Sequence, residues 1–254
     1  MDSALSYLYC IVASARPLQT TKTPAGLPGT GPVRAVEIRP GRYLVVSDAP
    51  PSEFAEGPLT EKLSDLGWVS RAAVAHEAVT ESFMSVADAV VPLKLFTLFT
   101  DDERALAQIR SGWRRVERLV KRLNKHEEWG VRLVFDESRA PDTADAATAQ
   151  GGRSYLLAKR AQQTASARRS TAMRKVAGDV LKSLRPLSRD VKQRAITVPP
   201  DSRSRLLLDA AFLVPRAKAP RFRKSVEQRA KKIADAGYAL QLTGPWPAYS
   251  FVEG

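Results

Sequence analysis

Apolar and polar positions along the chain change period several times, and each change marks an element. Leu5–Ala13 (LSYLYCIVA) is a short run of aromatic, aliphatic and β-branched side chains, which predicts a buried strand. Residues 16–32 interleave Pro17, Pro24, Pro28 and Pro32 with Gly26, Gly29 and Gly31, so neither a helix nor a ladder can run through them. Val33–Ile38 and Tyr43–Ser47 alternate apolar and polar residues about Pro40-Gly41 and predict a hairpin, closed by Pro50-Pro51.

From Leu59 the period becomes helical. Leu59, Leu63 and Leu66 share a short face, and Val69, Ala72, His76, Val79, Phe83 and Val86 then recur three and four apart, which predicts an amphipathic helix. Asp88–Phe99 (DAVVPLKLFTLF) returns to a strand-like run, with Pro92 at its start or on an edge. Thr100 to Glu103 has capping-box spacing. The helix expected beyond it, over 101–125, carries Leu106, Ile109, Trp113, Val116, Leu119, Val120 and Leu123 on one stripe and five cations on the other face. A strand over Glu128–Phe135, a linker over Glu137–Gly152, an Ala- and Arg-rich helix over Tyr155–Leu187, a strand over Leu206–Val214, a helix over Phe222–Ala236 with Gly237 as its C′ residue, and a strand over Tyr238–Thr243 complete the reading.

This order predicts an α+β protein of two domains. Residues 1–88 would form an N-terminal α+β domain, and 89–243 a modified ferredoxin-like βαβ-βαβ domain carrying a basic helical insertion at about 153–195. Residues 244–254 would form an extended aromatic C-terminal tail.

At 254 residues and 44% apolar composition the chain can bury a large core, and 14 Gly with 17 Pro exclude collagen-like and wholly disordered classes. The single Cys10 lies among apolar neighbours and suits a reducing cytoplasm. No apolar run reaches the roughly 18–20 residues of a membrane helix, so no membrane association is expected. Charge alters the picture more. Residues 1–100 carry 8 Lys/Arg and 10 Asp/Glu, while 101–254 carry 32 and 17. Segment 153–194 alone holds 12 Lys/Arg against Asp179 and Asp190, a field suited to an acidic partner or nucleic acid, or simply a solvated helical face. Within it Arg168, Arg169, Arg174 and Lys175 are expected to lie where no nearby acidic residue offers pairing, and are candidate partner-binding residues.

Catalytic constellations are missing. His76-Glu77 lacks the second histidine that a zinc peptidase helix needs, position 80 being Thr, and His76 falls inside an apolar stripe, as a hydrogen-bonded core histidine would. Two histidines and one cysteine offer too few ligands for a transition metal. Gly26–Gly31 (GLPGTG) lacks the Lys-Ser/Thr of a phosphate loop, and no nucleophile elbow or dinucleotide fingerprint occurs. No enzyme activity, cofactor, metal or small-molecule substrate is therefore expected. The segment Gly244–Phe251 sets prolines on both sides of Trp246 and follows with Tyr249 and Phe251. These three aromatics would either pack back onto their own chain as a clamp or offer a docking strip to another protein.

Gly244–Val252 (GPWPAYSFV) closely resembles the C-terminal signature of the gas vesicle GvpL/GvpF family. The resemblance extends in order through Tyr7–Val12, Leu44–Ser47, Ala75-His76-Glu77, Val91–Phe99, Glu128–Leu133, Gly152–Leu157 and Ala210–Val214. Phe96 stands where the family usually has glycine before the threonine, and Ala248 where a second proline is usual. The resemblance implies a non-enzymatic accessory or minor structural protein, cytoplasmic and associated with gas vesicles. Its implied partners are the major shell protein and other accessory proteins, met during assembly. A basic ferredoxin-like nucleic-acid-binding module is the alternative. Against it, neither Tyr7–Val12 nor Leu206–Val214 carries the Lys/Arg-Gly-aromatic pattern of an RNA-recognition strand.

Overall fold

The structure is a computed structural model, and it describes residues 4–18, 22–139, 152–196 and 204–252. Residues 140–151 of the expected linker, and the side chains of the Gly152–Leu157 block, lie outside the described residues.

The chain contains two four-stranded antiparallel sheets and divides into two compact units, Met1–Glu128 with Pro245–Gly254, and Trp129–Gly244. In the first unit, β1 (Leu5–Ala13), β2 (Arg34–Arg39), β3 (Arg42–Ala49) and β4 (Ala89–Phe99) lie in the order β2-β3-β1-β4. Between β3 and β4 run α1 (Pro51–Phe54), α2 (Glu56–Leu63) and α3 (Leu66–Ser82), and after β4 come α4 (Asp102–Ser111) and α5 (Trp113–Leu123). The expected hairpin is present, with Gly41 at φ 70°, a conformation glycine adopts without steric cost.

β1 is the centre of this unit. Leu8 pairs with Val46 and Cys10 with Val45, so Tyr9 is an extra residue that bulges from the ladder to β3. On its other side Leu8 pairs with Thr97 and Cys10 with Pro92, which leaves Leu93–Phe96 arching outward opposite Tyr9. The bulge turns Tyr7, Tyr9 and Val12 toward one core, with Trp68, Ala72, Val79 and Phe83 of α3 and its C-terminal end. Leu8 and Ile11 face the opposite way, toward α4 and α5.

The second unit is built from β5 (His126–Asp136), α6 (Gly152–Leu184), β6 (Asp190–Gln193), β7 (Ser204–Pro215), α7 (Ala219–Ile233) and β8 (Tyr238–Trp246), with strand order β6-β7-β5-β8. Trp129, Val131 and Leu133 of β5 and Leu208, Ala210 and Phe212 of β7 share a core with Val180 and Leu184 of α6 and Phe222 and Val226 of α7. Gly237 follows in the left-handed region at φ 81°, as a C′ residue should.

Several expectations are corrected. The βαβ unit foreseen over 90–135 does not form, because β4 pairs with β1 in the first sheet while β5 belongs to the second. The divide therefore falls at Glu128, not at residue 88. The basic helix is not an insertion either: α6 is the crossing element between β5 and β6, and β6 pairs with β7. The single helix expected over 101–125 breaks at Gly112 into α4 and α5. Trp113 opens α5 half-buried, with the Arg39 guanidinium 4.7 Å above its ring, and is not a central core residue. Asp101, not Thr100, caps α4, its Oδ1 accepting the Arg104 amide at 2.7 Å. Leu63, Leu66 and Val86 are exposed, so the apolar stripe of α3 is shorter than its sequence pattern.

Candidate functional site

Arg168, Arg169, Arg174 and Lys175 lie on the exposed faces of α6, whose apolar side is marked by Met173 and Val180. Arg169 is not without an acidic neighbour: Glu137 lies 3.8 Å from it and also 3.5 Å from Arg205. Arg174 donates to the Thr171 hydroxyl at 3.3 Å. Sequence proximity missed Glu137 because the turn after β5 brings it to the helix across a long stretch of chain.

The three C-terminal aromatics separate. Gly244–Trp246 are part of β8 rather than of an extended tail, and Trp246 is 41% exposed. Tyr249–Phe251 form a 3-10 turn, and Phe251 is fully buried with the Arg122 guanidinium 5.7 Å from its ring. The Glu128 carboxylate accepts both the Ser250 amide at 2.8 Å and the Ser250 hydroxyl at 2.7 Å, two charge-assisted bonds that fix the turn. The Tyr249 hydroxyl is buried beside Glu77 and Thr80 and makes no hydrogen bond of ordinary geometry; burial and the Glu77 charge push its pKa up. Burial likewise raises the Glu77 pKa above the usual carboxylate range.

Beneath this turn lies a buried polar network. The Tyr7 hydroxyl and His76 Nδ1 are 2.7 Å apart, His76 Nε2 is 3.2 Å from the Leu93 carbonyl, and the Phe96 amide donates to Tyr7 at 3.3 Å. His76 is thus a satisfied core residue, and burial lowers its pKa to about 4. Phe96 sits at φ 61°, in the left-handed region where a side chain costs about 1–2 kcal/mol. Its ring stacks on Trp68 at 5.5 Å, which offsets the strain. The Gly26–Gly31 loop is structural as well: the Leu27 amide donates to the Tyr9 hydroxyl at 3.0 Å, and Leu27 is buried.

One feature escaped sequence reasoning. Between the first sheet and α4–α5 runs an open groove of about 530 Å³. Leu8, Ile11 and Val91 form its floor, Ile109, Val116 and Leu119 its wall, and Val252 one end. The only available signal was the i, i+3 spacing of Val116 and Leu119, which reads equally well as core. Among the described residues, no cluster of His, Cys, Asp and Glu could hold a metal, and no helix is long and apolar enough to cross a membrane.

This architecture is shared with solved gas vesicle proteins. The crystal structure of GvpF from an Anabaena species superposes with a TM-score of 0.73 at 18% identity, covering 99% of this chain and 97% of that one. That of GvpF from Microcystis aeruginosa gives 0.68 at 16% identity, covering 99% and 100%. In sequence, residues 5–253 match the family described as gas vesicle synthesis protein GvpL/GvpF. The chain belongs to that family, and so to the proteins associated with gas vesicles. A relative named gas vesicle protein L, from a Streptomyces species, is 31% identical over 259 aligned positions, which span 97% of this chain and 92% of the relative.

Proposed function

We propose that the protein is a cytoplasmic, non-enzymatic accessory or minor structural component that binds shell subunits or other accessory proteins while gas vesicles assemble. Family membership across residues 5–253 is the observation that carries this reading. The exposed cations of α6, namely Arg168, Arg169, Arg174 and Lys175, supply a long-range field that steers an acidic partner into contact. Trp246 offers an exposed aromatic anchor at the end of β8, whereas Tyr249 and Phe251 hold their own chain. An apolar shell subunit needs its exposed surface covered before it polymerises, because large apolar patches aggregate. The β-α-β-β-α-β order of the second unit, with strands β6-β7-β5-β8, supports a ferredoxin-like reading in which α6 is an intrinsic helix.

Pull-down with the major shell protein at physiological salt tests the proposal. The parent protein should capture the subunit, and replacement of all four α6 cations by Gln should weaken capture while circular dichroism is unchanged. Failure of the parent to capture shell or accessory proteins, together with a salt-sensitive electrophoretic shift of nucleic acid at micromolar protein, would favour the nucleic-acid alternative.

A further inference from the structure

We propose that the groove between the first sheet and α4–α5 seats an amphipathic helical segment of a partner polypeptide whose apolar stripe is flanked by Asp or Glu. The inference deepens the assembly reading above and rests on it.

The wall supplies the accessible apolar part, the half-buried Val116 and Leu119, over a floor of Leu8, Ile11 and Val91 that is itself buried. A volume of about 530 Å³ lies within the roughly 300–1,000 Å³ of ligand sites. Charge selects the occupant. Among the described lining residues the ionisable ones are Lys94 and Arg115, both cations. Past Leu119 the depression continues over Arg118 and Arg122 beside Phe251. Arg115, Arg118 and Arg122 are spaced i, i+3 and i+7, a row of about 10 Å at 1.5 Å rise per residue along α5. Arg115 and Arg118 are exposed. The acidic residue of α5, Glu117, is paired with Arg42 at 3.6 Å. Carboxylates at helical spacing on an occupant meet such a row in register.

The alternative mode, addition of a strand to the free edge of β4, is blocked. Pro92 lies within that strand and Leu93–Phe96 fall out of register with β1, so β4 offers no regular run of edge donors and acceptors. Helix-in-groove recognition by apolar anchors at i, i+3, i+4 and i+7 remains.

Fluorescence anisotropy on the full chain, with three labelled synthetic peptides of about 18 residues, tests the assignment. One peptide carries a Leu/Ala stripe flanked by Glu, one the same stripe flanked by Lys, and one a scramble of the first. The Glu-flanked peptide should bind at least about tenfold more tightly than the other two, and more weakly as salt rises. The double variant Arg115→Glu, Arg118→Glu, at exposed positions, should transfer the preference to the Lys-flanked peptide. Leu119→Gln should weaken both, with circular dichroism confirming the fold. Equal binding of the three peptides, binding of none, an unchanged preference in the double variant, or binding of laurate with no peptide binding each overturns the assignment. Shell-subunit capture keeps the two readings apart. Equal capture by parent and double variant removes the groove and leaves the assembly reading standing. A parent that captures no shell or accessory protein removes the assembly reading, while the peptides still report on the groove.

Discussion

The two faces of the first sheet are served by the same strand, β1, yet they are finished differently. On the α3 face, Tyr7, Tyr9 and Val12 meet Val79 and Phe83 in a closed core, and its buried polar groups, the Tyr7 hydroxyl and the His76 ring, are partnered. On the α4–α5 face, Leu8 and Ile11 are buried as well, but the half-buried Val116 and Leu119 beside them border an open groove of about 530 Å³. Dense packing with satisfied polar groups fixes register and contributes stability, while an unfilled apolar surface forgoes dispersion contacts and stays available to a partner. The single extra residue at Tyr9 makes this division possible, because it resets which side chains of β1 point where.

Substitutions should separate the faces by size of effect. Phe83→Ala removes a fully buried ring from the closed face and should cost about 3–5 kcal/mol in denaturant melts. A loss under about 1 kcal/mol would show that this face is no better packed than the groove.

Acid should act on the closed face next. His76 titrates near 4 in the folded protein and near 6.5 when unfolded, so between these values the unfolded chain holds the extra proton. Stability from this group is complete above about pH 6.5, falls by roughly 3 kcal/mol down to about pH 4, and changes no further below it. Glu77, whose pKa burial raises, acts in the opposite sense and softens the decline at its acid end. Stability measured against pH for the parent and for His76→Gln isolates the histidine: the variant should show a flatter profile over that window, and parallel profiles would mean His76 is not held neutral.

At the arch of β4, Phe96→Gly should be more stable than Phe96→Ala by about 1–2 kcal/mol, since both lose the stacking on Trp68 and only glycine relieves the left-handed backbone. Equal stabilities would mean the arch relaxes when the ring is gone. The smallest effect belongs to the groove. Leu119→Ala should cost under about 1 kcal/mol, far below the 2–5 typical of buried leucines, because its side chain is only half-buried. A core-sized loss would mean the groove wall is part of the hydrophobic core.

Local pattern carried most of the elements and little of their pairing. The hairpin at Gly41, the strands at Leu5–Ala13 and Ala89–Phe99 and the C′ glycine Gly237 were legible because turn chemistry and period are written in adjacent residues. The sheet to which β4 belongs was not, since its pairing with β1 depends on residues far apart in sequence. β6, only four residues long, is too short to show a period and lies within the span read as a basic helical insertion. The family's missing glycine at Phe96 was visible in sequence, and its consequence, a side chain at φ 61° stacked on Trp68, became readable only in three dimensions. Of the candidate site, exposure of the α6 cations followed from composition, but the partner of Arg169 and the fates of Trp246 and Phe251 depended on tertiary contacts. The groove could not be told from core in the sequence, because a residue lining a cleft and one filling a core share the same stripe.

The grip of Glu128 on Ser250 gives the molecule an order of birth. Translation delivers Glu128 long before Ser250, and the whole of Trp129–Gly244 must leave the ribosome in between, at roughly 5–20 residues per second. Throughout that interval the seat of Phe251 beside Arg122 is vacant and the first unit lacks its closing turn. The nascent chain thus passes through a stage in which the first unit, begun first, is still open while the residues of the second are being added.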